Sequence, residues 1–223
     1  MTLQEMLNQA LNECGFSTYN LFVGASESEP LQVLALAQRE LMDLSRSNWQ
    51  VLEKTYEIEL TGADSYPLPS DYRKFIFDTA FSTTHKMNFP ASDAAWSYYK
   101  ISGREGGGQY MMRIVNNRLE VMNQDIGAKI RIHYFSNALV LKDSGLMKTR
   151  FESNSDMIVL DDDLFMMGVI WRFSRVKGLE WESLKADYRR HRRNLLGTDR
   201  SSQTVIMTEA ESWLPTPQAD LMV

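Results

Sequence analysis

The chain has 223 residues, 43% hydrophobic and 24% charged, which suits a globular protein of one large domain or two small ones. Its formal net charge of -5 argues against a general nucleic-acid binder. One cysteine, Cys14, excludes an internal disulfide framework, and with only three scattered histidines no zinc site can be drawn. We see neither a secretory signal nor an apolar run of the roughly 20 residues that a membrane span needs, so we expect a protein without membrane contact, made in the cytoplasm.

Two amphipathic helices are predicted at the N-terminal end. A capping box, formed by Thr2 and Glu5, precedes apolar residues at helical spacing that stop at Gly15. A loop rich in Ser, Gly and Glu follows. Pro30 then suits the first position of a second helix, which leucines at helical spacing extend to about Ser47. Residues 1–48 are therefore predicted to be the N-terminal helices of a bundle.

The hydrophobic period changes from helix to strand after Trp49. The stretch TYEIEL (55–60) alternates as a half-buried strand does, and the prolines of YPLPSDY (66–72) force extended backbone. We predict further strands and one short helix, with an Asn116-Asn117 turn and an Asp125-Ile126-Gly127 turn between the last three strands. The strands lie at about 74–82, 110–115, 118–122 and 129–135, and the helix at 91–99. Residues 49–156 are thus predicted to form a mostly antiparallel β domain, although 137–155 is polar and irregular.

A helical hairpin at 157–197 is predicted to complete the bundle. Asp161, Asp162 and Asp163 suit a helix start, because carboxylates cap free N–H groups and favour the positive end of the helix dipole. The first helix is apolar on nearly every side and should stop at Gly178. The second helix has a narrower apolar stripe, and we expect Gly197 to end it.

The C-terminal segment, 198–223, shows no helical or strand period and is predicted to be extended. It nevertheless carries isolated apolar residues. Such a pattern fits a segment that becomes ordered on docking to a partner, whereas an inert tail is the alternative. The predicted anchors are Val205, Ile206, Met207, Trp213, Leu214, Leu221 and Met222.

Signatures of catalysis, cofactor binding or metal binding are not found in the sequence. The aspartate run lacks the alternating spacing of a cation site, and the glycines at 106–108 are not followed by the Lys-Ser/Thr of a phosphate loop. The histidines stand far apart and no nucleophile accompanies them in a known motif. We therefore expect no enzyme, no cofactor and no metal.

Arginines of the second hairpin helix are the residues most open to a functional interpretation. Residues 171–200 contain nine Lys or Arg and four Asp or Glu, so this segment has a net charge of +5. Arginines at helical spacing could neutralise DNA phosphates, but subunit contacts, pairs with nearby acidic residues or a solvated face are commoner for a charged helix. A DNA-binding accessory module is therefore the second interpretation of the chain. The residues concerned are Arg189, Arg190, Arg192 and Arg193.

The order of these parts resembles a known family. Its pieces are Asn48-Trp49 before the first strand, the YPLPSDY segment, and GVIWR (168–172) followed by KGL (177–179) in the hairpin. Together they resemble bacteriophage head-to-tail adaptor, or connector, proteins, the family of tubular tail protein A of short-tailed phages. The resemblance covers about residues 1–197.

The expected fold is of the α+β class: a helical bundle from the N-terminal helices and the C-terminal helical hairpin, a central antiparallel β domain and an extended C-terminal tail. The resemblance implies a non-enzymatic structural protein of the virion, at the head-tail junction, which forms a homo-oligomeric ring, typically a dodecamer, under the portal. Such a ring continues the channel through which genomic DNA passes during ejection without sequence-specific binding. The implied partners are the portal protein, the next (nozzle-type) tail protein and other copies of the chain, and the C-terminal segment can insert into the portal.

Overall fold

A computed structural model of the chain describes residues 1–83, 85–101 and 110–201. These contain helices and antiparallel sheets, so the α+β class is confirmed. The helices are α1 (Leu3–Glu13), α2 (Ser28–Ser45), α3 (Asp93–Ile101), α4 (Asp162–Lys177) and α5 (Glu182–Ser201), and a short 3-10 helix spans Gln50–Leu52. The strands are β1 (Glu53–Glu59), β2 (Ser65–Pro67), β3 (Tyr72–Phe75), β4 (Phe81–Ser82), β5 (Met111–Val115), β6 (Arg118–Met122), β7 (Lys129–Ser136), β8 (Val140–Leu141), β9 (Met147–Lys148) and β10 (Met157–Ile158). The predicted tail anchors, Val205 to Met222, lie outside the described residues, as do the glycines at 106–108.

The helix ends that the sequence predicts from capping residues are mostly confirmed. Thr2 Oγ1 accepts a hydrogen bond from the Glu5 backbone N–H at 3.3 Å, and the Glu5 carboxylate accepts one from the Thr2 N–H at 2.8 Å. Asp161 Oδ1 accepts from the Leu164 N–H at 2.7 Å and so begins α4. Gly178, with a φ of +72°, ends α4 in the left-handed conformation.

The predicted end of α5 at Gly197 is wrong. The helix continues to Ser201, so the first four residues of the predicted extended tail are helical. A single glycine inside a helix costs only about 1 kcal/mol relative to alanine, and tertiary contacts override such a cost. Here the Asp199 carboxylate accepts a hydrogen bond from the backbone N–H of Gln50 at 2.5 Å, which holds the last turn of α5 against the start of the 3-10 helix.

The main sheet is built around β7. Strand β1 pairs antiparallel with one edge of β7 along seven residues, and β3 and β4 share the other edge. Every second residue of β7 is buried, from Ile130 through Ile132 and Tyr134 to Ser136. A second sheet has the order β2-β6-β5, and its β5-β6 hairpin turns at Asn116 and Asn117, whose φ angles are +50° and +58°. These positive values are those of the tight hairpin turn that the Asn-Asn pair predicts.

Two large hydrophobic cores form among the described residues, beside a small cluster of Trp96, Met111 and Met122. One joins α1, α2, α4 and α5 with the small sheet β10-β8-β9, which contributes Leu139, Val140 and Ile158. The other lies between the two larger sheets and is centred on Ile130, Ile132 and other apolar strand residues. The stretch 137–155, predicted to be irregular, therefore supplies two short strands to the helical side, while the predicted domain boundaries remain a prediction.

Arg73 joins the two cores. This residue of β3 donates hydrogen bonds to the backbone carbonyls of Arg46 and Ser47 and to the side chain of Asn48, at 2.9 to 3.1 Å. The carbonyls at the end of α2 have no partner within their own helix, so the guanidinium satisfies them. Within the described part of the chain, no helix is both long enough and apolar enough to cross a membrane.

Candidate functional site

A groove of about 520 Å³ opens between α2, α4 and α5. Its lining combines apolar and aromatic side chains, including Leu36, Trp171 and Val176, with many positive charges. Among the residues that the structure describes, only one lining carboxylate, Asp43, opposes them. We call this site the basic groove. Its six cationic residues are Arg39, Arg172, Arg175, Lys185, Arg189 and Arg192.

A buried ionic network supports one side of the basic groove. Glu40 of α2 is fully buried, accepts a hydrogen bond from the Tyr188 hydroxyl at 2.6 Å and forms an ion pair with Arg172. Arg172 also pairs with Asp43 at 2.5 Å and donates to the carbonyl of Gly168 at 3.0 Å. Burial raises the pKa of Glu40, and the Arg172 guanidinium opposes this shift. The network ties α2, α4 and α5 together beneath the groove.

Gly168 makes room for this network. A Cβ built on Gly168 would lie 2.3 Å from Glu40 Cδ and 2.5 Å from Glu40 Oε1, far inside van der Waals contact. Only glycine allows the two helices to approach with a carboxylate between them. Arg172, four residues along α4, then reaches the same carboxylate and lies over the Trp171 ring with its Cζ 4.4 Å from the ring centroid.

Four of the groove cations have no carboxylate within 4 Å among the residues that the structure describes, namely Arg39, Arg175, Lys185 and Arg189. Two of them contact aromatic rings instead. Lys185 Nζ lies 5.0 Å from the Trp171 ring centroid and 5.2 Å from that of Trp181, and Arg175 Cζ lies 5.3 Å from that of Trp181. Trp171 is only 8% exposed and Trp181 is half-buried, so the groove offers unneutralised positive charge beside the aromatic surface of Trp181, a combination suited to an anionic ligand that also carries an apolar group.

The family model of the SU10 adaptor protein matches residues 1–209. The chain belongs to the SU10 adaptor protein family. It is thus a structural bacteriophage adaptor, a component of the virion, and the predicted resemblance to phage head-to-tail adaptors is confirmed. A comparison with curated proteins gave no match. The family match covers all the described helices and strands and stops before the tail residue Trp213.

The four arginines singled out in the adaptor's sequence lie in different surroundings. Arg192 donates to the Asp43 carbonyl at 3.1 Å and to Ser47 Oγ at 2.6 Å, and so ties α5 to the end of α2. Arg190 pairs with Asp187 on its own helix at 2.7 Å. Arg189 lines the basic groove, whereas Arg193 is exposed and bonds only to the carbonyl of Arg189 at 3.4 Å. The four arginines therefore do not form one common surface that could contact a phosphate backbone.

The groove cations on α2 and α4 were missed by sequence reasoning. Arg39 stands alone on an otherwise ordinary amphipathic helix, and Arg172 and Arg175 look like the usual cations near a helix C-terminus. Nothing in their local spacing indicates that three helices bring them together. The one sequence feature that indicated the groove was the net charge of +5 on residues 171–200, because these residues belong mostly to α4 and α5, which form most of the groove.

Other residues of the family-like motifs also hold the adaptor together. In YPLPSDY, Asp71 accepts hydrogen bonds from Lys54 at 2.7 Å, Ser136 at 2.8 Å and the Tyr134 hydroxyl at 3.0 Å. Burial opposes ionisation of Asp71, but these donors outweigh it and lower its pKa. In KGL, Lys177 pairs with Glu29, which joins the end of α4 to the start of α2. These motifs therefore have structural explanations.

A second candidate surface lies on the β side of the adaptor. Phe77 is 71% exposed, and its ring contacts those of Phe75 and Phe89 with centroids 5.7 and 5.8 Å apart. Pro90 and Ile114 border a shallow pocket beside these three rings. We call Phe75, Phe77 and Phe89 the aromatic patch. Exposed aromatic clusters are typical of protein-binding surfaces.

Metal chemistry has no visible site in the described part of the adaptor. No group of three or more His, Cys, Asp or Glu side chains is placed there to hold a metal ion. The aspartates at the start of α4 have other contacts: Asp161 caps the helix, and Asp162 pairs with the N-terminal ammonium at 2.7 Å. These two aspartates therefore have structural roles at the start of α4.

Proposed function

We propose that this adaptor forms a closed ring beneath the portal at the head-tail junction, where it extends the DNA channel and gives the next, nozzle-type tail protein its platform. The family match across residues 1–209 carries the proposal. A ring of identical subunits needs two different surfaces on each copy, which meet in a heterologous interface that closes by rotation. Twelve subunits are the number that we propose, with assembly in the host cytoplasm.

The two cores support this role because they give the subunit dissimilar faces. The helical side exposes Met42, Val176 and Leu179, whereas the β side exposes Phe77 of the aromatic patch. We propose that the helices pack against neighbouring copies and that the aromatic patch contacts the tail protein. Apolar residues that monomeric packing leaves in solvent would then be buried in the assembled particle.

The segment 202–223 is proposed to dock on the portal protein in the assembled particle. Its anchors would be the apolar residues at 205–207, 213–214 and 221–222. A long segment that becomes ordered on its partner adds contact area at an entropic cost and can bridge two rings. Genomic DNA would pass through the channel without sequence-specific contacts.

A DNA-binding accessory module is less well supported. Arg192 is engaged by Ser47 and the Asp43 carbonyl between α5 and α2, and Arg190 pairs with Asp187 on its own helix. The salt dependence of DNA binding distinguishes the two functions. A module that reads the backbone through several arginines loses affinity steeply as salt rises, whereas a channel wall shows only weak and unselective binding.

Native mass spectrometry of the purified adaptor, alone and mixed with its portal protein, tests the proposal. We expect a complex of fixed stoichiometry whose mass grows in steps of 25.7 kDa per adaptor subunit. A variant that lacks residues 202–223 should keep its fold but bind the portal more weakly. The deletion begins after Ser201 because the Asp199 carboxylate accepts a hydrogen bond from the Gln50 N–H. An adaptor that stays monomeric and ignores the portal would refute the ring.

A further inference from the structure

We propose that the segment TEAESWL, residues 208–214, occupies the basic groove of the same chain in the free protein. This inference goes beyond the ring and does not depend on it. It assigns a ligand class to the groove, namely an extended acidic segment with an aromatic anchor, and it names the segment of this chain that has that chemistry.

The charges and aromatic rings of the basic groove determine which kind of ligand fits it. Arg39, Arg175, Lys185 and Arg189 bring four positive charges that no carboxylate neutralises among the described residues, and Trp171 and Trp181 lie beside Lys185. Cations so close together repel one another, so a ligand with two or more carboxylates is favoured over a neutral one. The half-buried Trp181 ring adds a surface for an apolar or aromatic side chain.

The C-terminal segment meets this requirement. Residues 202–223 contain three acidic residues and no Lys or Arg. Glu209, Glu211 and Trp213 alternate, and in an extended segment alternate side chains point to the same side. Two carboxylates and an indole would therefore face the groove together, with Glu209 and Glu211 beside the arginines and Trp213 beside Lys185 and the two tryptophans.

The length of the chain permits the contact within one subunit. Arg189 lies twelve residues before Ser201 on α5, which is about 18 Å of helix. The eight residues from Ser201 to Glu209 span up to about 27 Å when extended, so Glu209 can return to Arg189. Lys185 lies about 6 Å further along α5, and the four residues from Glu209 to Trp213 cover that distance. The order of acid and aromatic residues in the segment matches the order of cations and tryptophans in the groove.

DNA fits the groove less well. A phosphodiester backbone carries the negative charge but no apolar side chain for the half-buried Trp181, and the chain as a whole has a net charge of -5. The acidic segment, in contrast, is held at high effective concentration because it is part of the same molecule.

Photocrosslinking of the full-length protein tests this assignment. Leu214 is replaced by the photoreactive residue benzoylphenylalanine, which leaves Glu209, Glu211 and Trp213 intact. Irradiation of a dilute sample should link residue 214 to a peptide within 171–192 of the same chain, at monomer mass. In the double variant Arg39→Gln/Arg189→Gln the yield of this link should fall about three- to ten-fold, because two exposed ion pairs are removed. Both arginines are exposed and lack carboxylate partners among the described residues, so the fold should survive.

Arg193→Gln is the matched control, since Arg193 is exposed on the same helix but does not line the groove. Its crosslink yield should equal that of the parent. Links that form only between chains at every dilution would overturn the intramolecular contact, as would links elsewhere whose yield the double variant leaves unchanged. A DNA duplex that binds the parent, loses affinity for the double variant and leaves residue 214 unlinked would assign the groove to phosphates instead. None of these outcomes bears on the mass of the complex with the portal, so the ring is tested separately.

Discussion

The carboxyl group of Glu40 on α2 occupies the space where residue 168 of α4 would carry a side chain, because residue 168 is glycine. A Cβ at this position would lie 2.3 Å from Glu40 Cδ. Glu40 is held there by the Tyr188 hydroxyl at 2.6 Å and by the Arg172 ion pair, and it has no exposed surface. The contact between these two helices thus depends on a glycine and a buried charge together.

Gly168→Ala should lower the free energy of unfolding by about 1–3 kcal/mol, the usual cost of overpacking a rigid core. Glu40 cannot move away from the new methyl group without weakening its bonds to Tyr188 and Arg172. Urea unfolding followed by circular dichroism measures the change. A variant as stable as the parent would show that Glu40 can shift at no cost.

Gly197→Ala is the control for this substitution. Gly197 lies within α5, and nothing lies within 4 Å of a Cβ built on it. Since alanine is the better helix former, this change should raise the free energy of unfolding by up to about 1 kcal/mol. Opposite signs for the two glycine substitutions would separate the close contact at Gly168 from the general effect of removing a helical glycine.

Arg192 and Arg193 are neighbours in sequence but should differ in their contribution to stability. Arg192→Gln removes the bonds to Ser47 and to the Asp43 carbonyl, and should cost about 1–3 kcal/mol of unfolding free energy. Arg193→Gln removes only a bond to a carbonyl of its own helix and should cost less than about 0.5 kcal/mol. Thermal unfolding of both variants measures the two losses of unfolding free energy. Equal losses would mean that Arg192 does not join α5 to α2 in solution.

The buried carboxylate of Asp156 should make stability depend on acidic pH. It accepts hydrogen bonds from the Glu152 and Ser153 N–H groups at 2.7 and 2.9 Å and pairs with Lys148 at 3.1 Å. Burial opposes its ionisation, but these donors outweigh burial and lower its pKa below the ordinary value of 3.8. A lowered pKa stabilises the folded state above the unfolded-state value, and this contribution is lost as pH falls through the folded-state pKa.

Asp156→Asn should therefore destabilise the protein by about 2 kcal/mol at pH 7, and the difference from the parent should shrink as pH falls below about 3.8. Urea unfolding between pH 7 and pH 2.5 follows this difference. Glu152→Gln is the control, because the Glu152 carboxylate also pairs with Lys148 at 3.1 Å but is 68% exposed. Its effect should be small at every pH. A constant difference for Asp156→Asn would contradict the lowered pKa.

The features that could be predicted from the sequence are helix ends and turns that depend only on residues a few positions away. Thr2 with Glu5, Asp161 and Gly178 all act on the backbone within a few residues, and each sets a helix end as predicted. Asn116 with Asn117 does the same for a hairpin. In these cases the physical cause lies inside the motif, so no knowledge of the tertiary structure is needed.

Features that depend on distant residues could not be predicted in this way. Gly197 looks like a helix end, but Asp199 meets Gln50 and the helix continues. Gly168 has no visible purpose until Glu40 is beside it, and Arg39 becomes a groove residue only when α2 packs against α4 and α5. The stretch 137–155, which sequence left unassigned, includes Asn154, whose side chain accepts from the Phe22 and Val23 N–H groups at 2.8 and 3.0 Å.

The aromatic patch gives the proposed tail-facing surface a direct test. Phe77 is 71% exposed and contacts Phe75 and Phe89 only through ring edges. Phe77→Ser should therefore cost no more than about 3 kcal/mol of folding stability, the upper value for the two aromatic pairs that it removes. Its larger effect should be on a partner, since exposed aromatic side chains are the residues that most often dominate the energy of an interface.

We expect Phe77→Ser to weaken binding of the next tail protein about ten-fold or more, and to lower the fraction of particles that carry tails, while assembly on the portal is unchanged. The control is Ile126→Ser, which removes a side chain that is 79% exposed on the same β side but outside the patch. Binding of the purified tail protein to adaptor-loaded portal, followed by light scattering, compares the two variants. Equal binding by the parent and by Phe77→Ser would exclude the patch from the tail interface, whereas equal losses in both variants would indicate a broader contact across the β side.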